Sequence, residues 1–298
     1  MLIAGAGGGF DVFAGLPLYV ALRSLGKKVE LANLSFTCLA ATDAERLGQC
    51  LWRVDHSCSG GDYFPEKYLS EWLQLQSMPS AIYCFEKVGV RPLAEAYSTL
   101  VDALQIDTIV LVDGGTDILM RGDEAGLGTP AEDMVSLAAV RSLEVKTKLV
   151  TCLGFGIDAF HGVCHAHFLE NVAALEQAGG YLGTHSLHLW MPEVSLFRNA
   201  VEFAHHRMPT QQSIVNGSIV SALEGHFGNF HRTARTAGSE LFINPLMAMY
   251  WHFDLACVAQ RSLYLDLLGP TETIFQVQLL IEAFRKSTKC RPRRTIPC

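Results

Sequence analysis

The sequence predicts an α/β protein: a Rossmann-like, doubly wound, mostly parallel sheet with a largely helical C-terminal portion. Two observations carry that prediction. Short β-branched and apolar runs alternate with helical patterns, as repeated βαβ units require. Three of those runs end in glycines beside a carboxylate, at Gly5–Asp11, Asp113–Asp117 and Gly154–Asp158. With 49% apolar residues and only 18% charged ones among 298, the chain can bury a large core.

Each element follows from local pattern. Met1–Ala4 is a strand, short enough that either a short first strand or a longer natural N-terminus accounts for it. A glycine loop leads into a helix near Val12–Leu25, which Gly26 stops; Lys28–Leu34 is the second strand. A helix is expected near Thr42–Gln49, then a loop from Trp52 to Asp62, and a helix at Pro65–Leu75. Ala81–Phe85 is the third strand, Pro92–Leu104 a helix and Thr108–Val112 a strongly apolar fourth strand. After a polar, glycine-rich connection, Thr129-Pro130-Ala131-Glu132 opens a helix as a capping box with proline at the first helical position. Lys148–Leu153 is the fifth strand, Asp158 to about Gln177 a helix and His185–Trp190 a further strand. The remainder reads as helices at Pro192–His206, Ser213–Glu224, Pro245–Asp266 and Thr271–Arg285. One domain, 1–285, is expected, with 286–298 as a basic, frayed tail.

Composition excludes several classes. Lys and Arg number 23 against 30 Asp and Glu, a net charge of −7, so the basic footprint of a duplex nucleic-acid binder is missing. No run approaches the length of an apolar membrane span, and MLIAGAGGGFD lacks the pattern of a secretory signal. The nine cysteines include no CxxC pair, and several sit in apolar runs, as free thiols do in a reducing cytosol. A cytoplasmic protein is expected. Its positive mean hydropathy, +0.22, points to self-association as a homo-oligomer.

In open parallel sheets, ligands bind beyond the carboxyl ends of the strands. Gly5, Gly7, Gly8 and Gly9 form a loop whose N–H groups suit a phosphate, with Asp11 either contacting the ligand or capping the helix. The loop is neither a Walker loop nor a full GxGxxG, since the sixth position is Phe10. Asp113 and Asp117 lead a loop of four carboxylates and one arginine, suited to Mg²⁺, to ribose hydroxyls or to general-base work. Asp158, His161 and His165 follow the fifth strand. On a helix from Asp158, His161 and His165 share a face at i,i+4; with Asp113 or Asp117 they are candidates to hold a divalent metal, Mg²⁺ or Zn²⁺. Paired polar residues packed over the sheet edge are the plainer alternative. Further along, Arg232 and Arg235 are candidates to clamp a phosphate or carboxylate, and Glu240 is a candidate for a poised carboxyl.

The segments GAGGGFD, VDGGTDILMRGDEAGLGTPAEDM, LGFGIDAFHGVCHAHFLENVAAL and GSELFINPLM together resemble a family of archaea and bacteria catalogued as domain of unknown function 1152. The resemblance implies a single α/β unit over nearly the whole chain, and no activity. From the residues, the expected function is an enzyme acting on a nucleotide, nucleoside or phosphosugar by hydrolysis or group transfer, with metal assistance as an option. The roles would fall to Asp113, Asp117, Asp158, His161 and Glu240. A non-catalytic nucleotide-binding or sensing subunit is the alternative. A metal-dependent hydrolase of a non-phosphorylated substrate, using His161, His165 and an aspartate, is a third.

Overall fold

The computed structural model describes residues 1–296, and its centre is a nine-stranded mixed sheet flanked by helices on both faces. The chain opens with β1 (Leu2–Gly5), α1 (Asp11–Ala14), α2 (Leu16–Ser24) and β2 (Glu30–Leu34). A short hairpin, β3 (Glu45–Arg46) and β4 (Leu51–Val54), precedes α3 (Pro65–Leu75), β5 (Ile82–Phe85) and α4 (Val90–Leu104). Next come β6 (Thr108–Asp113), α5 (Pro130–Arg141), β7 (Thr147–Leu153), α6 (His165–Gln177) and β8 (Tyr181–Ser186). The last third holds α7 (Pro192–Arg207), α8 (Ile214–Leu223), β9 (Met249–Asp254), α9 (Leu255–Arg261), α10 (Leu265–Leu268) and α11 (Ile274–Ser287).

The strands lie in the order β3-β4-β5-β2-β1-β6-β7-β9-β8. The five from β5 to β7 are mutually parallel; β4 and β9 run antiparallel to their parallel neighbours on either side. The chain steps outward from β1 to β2 and β5, then returns to place β6 and β7 on the other side of β1. The loops after β1 and β6 therefore diverge and leave a crevice between them, as happens wherever strand order reverses.

Period-two alternation divides the interior into two layers. Along β6, Ile109 and Leu111 pack on the side of α4, α5, α6, α9 and α11, while Val110 and Val112 pack on the side of α1, α2, α3, α7 and α8. Strands buried on both faces show the continuous apolar runs that mark parallel sheets, and β6 is 0–4% exposed from Ile109 to Asp113.

Five expectations about the elements need correction. Residues 42–49 form the start of the β3–β4 hairpin rather than a helix, and Trp52 lies in β4 against β5 rather than in a loop. The helix expected over Pro245–Asp266 is interrupted by β9, whose Met-Tyr-Trp-His-Phe run has the aromatic content of a strand and fills the gap between β7 and β8. The strand expected at His185–Trp190 is instead Tyr181–Ser186. The capping box at Thr129 is also absent: α5 begins at Pro130 as expected, but the Thr129 side chain makes no cap hydrogen bond and donates to Asp117 Oδ2 at 3.3 Å.

Beyond α11 the basic tail has no regular structure through residue 296, yet it makes specific contacts. Arg291 pairs with Asp123 at 3.0 Å and Glu170 at 2.6 Å, and its N–H donates to the Asp123 carbonyl. Residues 297–298, and with them the ninth cysteine, lie outside the described residues. The eight cysteines among the described residues are unpaired, and five of them are buried. Among the described residues, no helix is long and apolar enough to cross a membrane.

Candidate functional site

A cavity of about 610 Å³ opens at the crevice between the β1 and β6 loops. Its floor is acidic. Asp11 follows the glycine loop at the start of α1, Asp113 ends β6, Asp117 lies in the 3₁₀ turn after it, Asp133 sits in the first turn of α5, and Asp158 lies in the 3₁₀ turn after β7. Asp113, Asp117, Asp133 and Asp158 are 2–7% exposed. Phe10, Phe36, Tyr63 and Val215 form apolar walls, and Lys87, His161 and Arg235 also line the cavity.

Backbone and hydroxyl donors hold four of these carboxylates in place. Asp117 Oδ2 accepts from the Thr129 N–H at 2.7 Å, Asp158 Oδ2 from the Thr116 N–H at 2.6 Å and hydroxyl at 3.0 Å, and Asp113 Oδ2 from the Ile118 N–H at 3.2 Å. In the glycine loop, the Gly7 N–H donates to Asp11 Oδ2 at 2.6 Å. That donor is therefore taken by a carboxylate of the chain itself and is not open to a phosphate. A Cβ at Gly7 would come within 2.8–3.0 Å of Asp133 and Asp11 carboxylate oxygens, so only glycine lets the loop approach them.

Burial is the main influence on every acid in the cluster. It pushes Asp11 up to about 7, against the pull of the Gly7 N–H and with added repulsion from Asp117. Burial, then the charges of neighbouring aspartates, raises Asp113 and Asp133 well above the carboxylate range. Asp158 is raised well up by burial and by Asp117, against the donors of Thr116. Asp117 is raised by burial, opposed chiefly by its Thr129 hydrogen bonds and also by His161. Among the described residues none of the five takes part in an ion pair within 4.0 Å. Such a cluster is stable only with bound protons or with a cation among the carboxylates.

The other expected residues divide. His161 lines the cavity, whereas His165 does not: residues 157–161 form a 3₁₀ turn that ends at Gly162 in the left-handed region (φ 90°), and α6 starts only at His165. The i,i+4 face shared by His161 and His165 is thus not formed. His165 instead lines a second cavity of about 420 Å³ with Phe155, Cys164 and Phe242; burial lowers its pKa. Arg235 reaches the main cavity, donating to the Gln212 carbonyl at 2.6 Å, but Arg232 is held away in ion pairs with Glu202 and Glu224. Glu240 is exposed and lines a separate small pocket beside Phe160 and Phe242. Of the loop glycines, Gly7, Gly8 and Gly9 border the cavity, while Gly5 lies beneath against Asn33. Asp11 does not cap its helix: α1 begins at Asp11 and its cap position is Phe10.

The matching family model spans residues 2–289 and is described as a protein of unknown function, DUF1152. The chain belongs to the DUF1152 family. No curated protein and no solved structure matches it. Within this DUF1152 chain, sequence reasoning missed Asp133, Lys87, Phe36 and Tyr63. Asp133 left only a weak signal, as an acid in the first turn of a helix whose residues from Met134 to Val140 are mostly apolar and buried.

Proposed function

We propose that the protein is an enzyme acting on a nucleotide, nucleoside or phosphosugar, by hydrolysis or group transfer, in the acidic cleft at the carboxyl edge of the sheet. We also read the sheet as Rossmann-like, because its parallel strands, numbered by their order in the chain, run third, second, first, fourth, fifth. The observation that carries the functional reading is the convergence of Asp11, Asp113, Asp117, Asp133 and Asp158 in one cavity at the strand-order reversal. The volume suits a nucleoside- or sugar-sized ligand. Carboxylates accept hydrogen bonds from sugar hydroxyls, and one with a raised pKa is suited to pass a proton near neutral pH. Phe10, Phe36 and Tyr63 offer faces for a base or sugar ring, while Lys87 and Arg235 supply positive charge for a phosphoryl group.

The test is turnover of a broad pool of nucleotides, nucleosides and sugar phosphates, with product analysis. Asp113→Ala and Asp117→Ala are each expected to lower turnover by about a hundredfold or more, with the melting transition still cooperative. Turnover retained by both variants overturns the assignment.

A further inference from the structure

We propose that Asp11, Asp113 and Asp133 form the site of a divalent cation of the Mg²⁺ or Mn²⁺ type at the floor of the cleft. One carboxylate oxygen from each of the three lies within 4.8 Å of the others, close enough to surround a single ion. An acidic cluster alone would not identify a ligand, but Asp133 adds an independent observation. It is 2% exposed, lines the cavity, and its Oδ1 has no hydrogen-bond partner. A buried carboxylate oxygen left unpaired is costly unless a proton or a bound ligand satisfies it. Asp11, Asp113, Asp117 and Asp158 each have an oxygen committed to Gly7, Ile118, Thr129 or Thr116, so Asp133 alone among the five accepts no hydrogen bond from the described residues.

The donor set decides the class of ion. Three carboxylates, with no thiol or imidazole among them, are hard oxygen ligands that favour Mg²⁺, Mn²⁺ or Ca²⁺ over Zn²⁺. The site therefore differs from one built on His161 and His165, which the fold separates. It also assigns a role to the glycine loop. Because the Gly7 N–H is spent on Asp11, a phosphoryl group would be reached through the cation rather than by that N–H. This inference rests on the reading of the cleft as the working site, but it can fail separately from that reading.

The experiment uses the full chain, stripped with a chelator and titrated with Mn²⁺ alone, following free Mn²⁺ by electron paramagnetic resonance. One Mn²⁺ per chain is expected, displaced by Mg²⁺. Asp133→Asn should weaken binding by about tenfold or more, while Glu282→Gln, exposed on α11 and outside the cavity, should bind as the unaltered protein does. Should Asp133→Asn fail to fold, Asp11→Asn carries the same expectation. No Mn²⁺ binding in the millimolar range, or unchanged binding in the aspartate variants, overturns the site. Neither outcome touches the turnover assay with Asp113→Ala and Asp117→Ala, which runs on products and not on Mn²⁺.

Discussion

Asn33 shows how a single side chain fixes the first loop. Its amide donates to the Gly9 carbonyl at 2.8 Å and to Glu66 at 2.7 Å, which ties the loop after β1 to α3. Gly5 lies directly against it: a Cβ there would sit 2.1 Å from Asn33 Oδ1 and 2.7 Å from the Val12 nitrogen. One of those neighbours is backbone and the other is held by two hydrogen bonds, so neither can give way cheaply. Gly5→Ala is therefore expected to destabilise the protein by about 2–3 kcal/mol in urea unfolding, within the range of overpacked cores. A loss below about 0.5 kcal/mol would show that the loop is softer than this packing implies. Residue identity made much of the site legible beforehand, since Asp113, Asp117, Asp158 and His161 all stand at strand ends. Asp133 was not legible in the same way. An acid in a first helical turn ordinarily complements the helix dipole, and only the tertiary structure turns this one inward.

At the scale of elements, the regular units were the legible ones. The bounds of α3 match Pro65–Leu75, and the parallel strands lie within about two residues of their expected positions, because each is a buried run between clear stops. The failures are short antiparallel strands toward the two sheet edges: β4, β8 and β9 are placed by partners distant in sequence, and β3 is only two residues long, added to β4 by a tight hairpin. Packing between elements also creates pH sensitivity. At the end of α7, the buried His205 accepts the Ser213 N–H at 3.0 Å through Nε2, where α8 begins. Burial, aided by Arg232, lowers its pKa to about 4 from the ordinary 6.5. A lowered histidine pKa contributes stability that is present above 6.5 and lost as pH falls toward 4, by at most about 1.4 kcal/mol per pH unit. His205→Gln should flatten the fall in melting temperature between those pH values relative to the unaltered protein. An identical slope in both would mean that other groups govern acid unfolding.

The whole molecule is tied together from its far end. Arg291 reaches back to Asp123, Glu170 and the fully buried Glu124, and Arg285 donates to the Gly122 and Glu124 carbonyls, so the last helix and tail secure the long loop after β6. Arg291→Ala is expected to cost about 1–3 kcal/mol of global stability, the scale of lost charge-assisted hydrogen bonds, and urea unfolding followed by circular dichroism would measure it. An unchanged midpoint would show that the tail contributes nothing to the fold. β9 has an effect of a different kind. It is the neighbour of both β7 and β8, and Tyr250 on it donates a hydrogen bond to the Ala14 carbonyl just behind the first loop. During synthesis on the ribosome, β7 leaves the exit tunnel about a hundred residues ahead of β9 and waits with an unpaired edge. The nascent chain thus carries a period of exposure to mispairing that ends only when Met249–Asp254 emerges and closes the sheet.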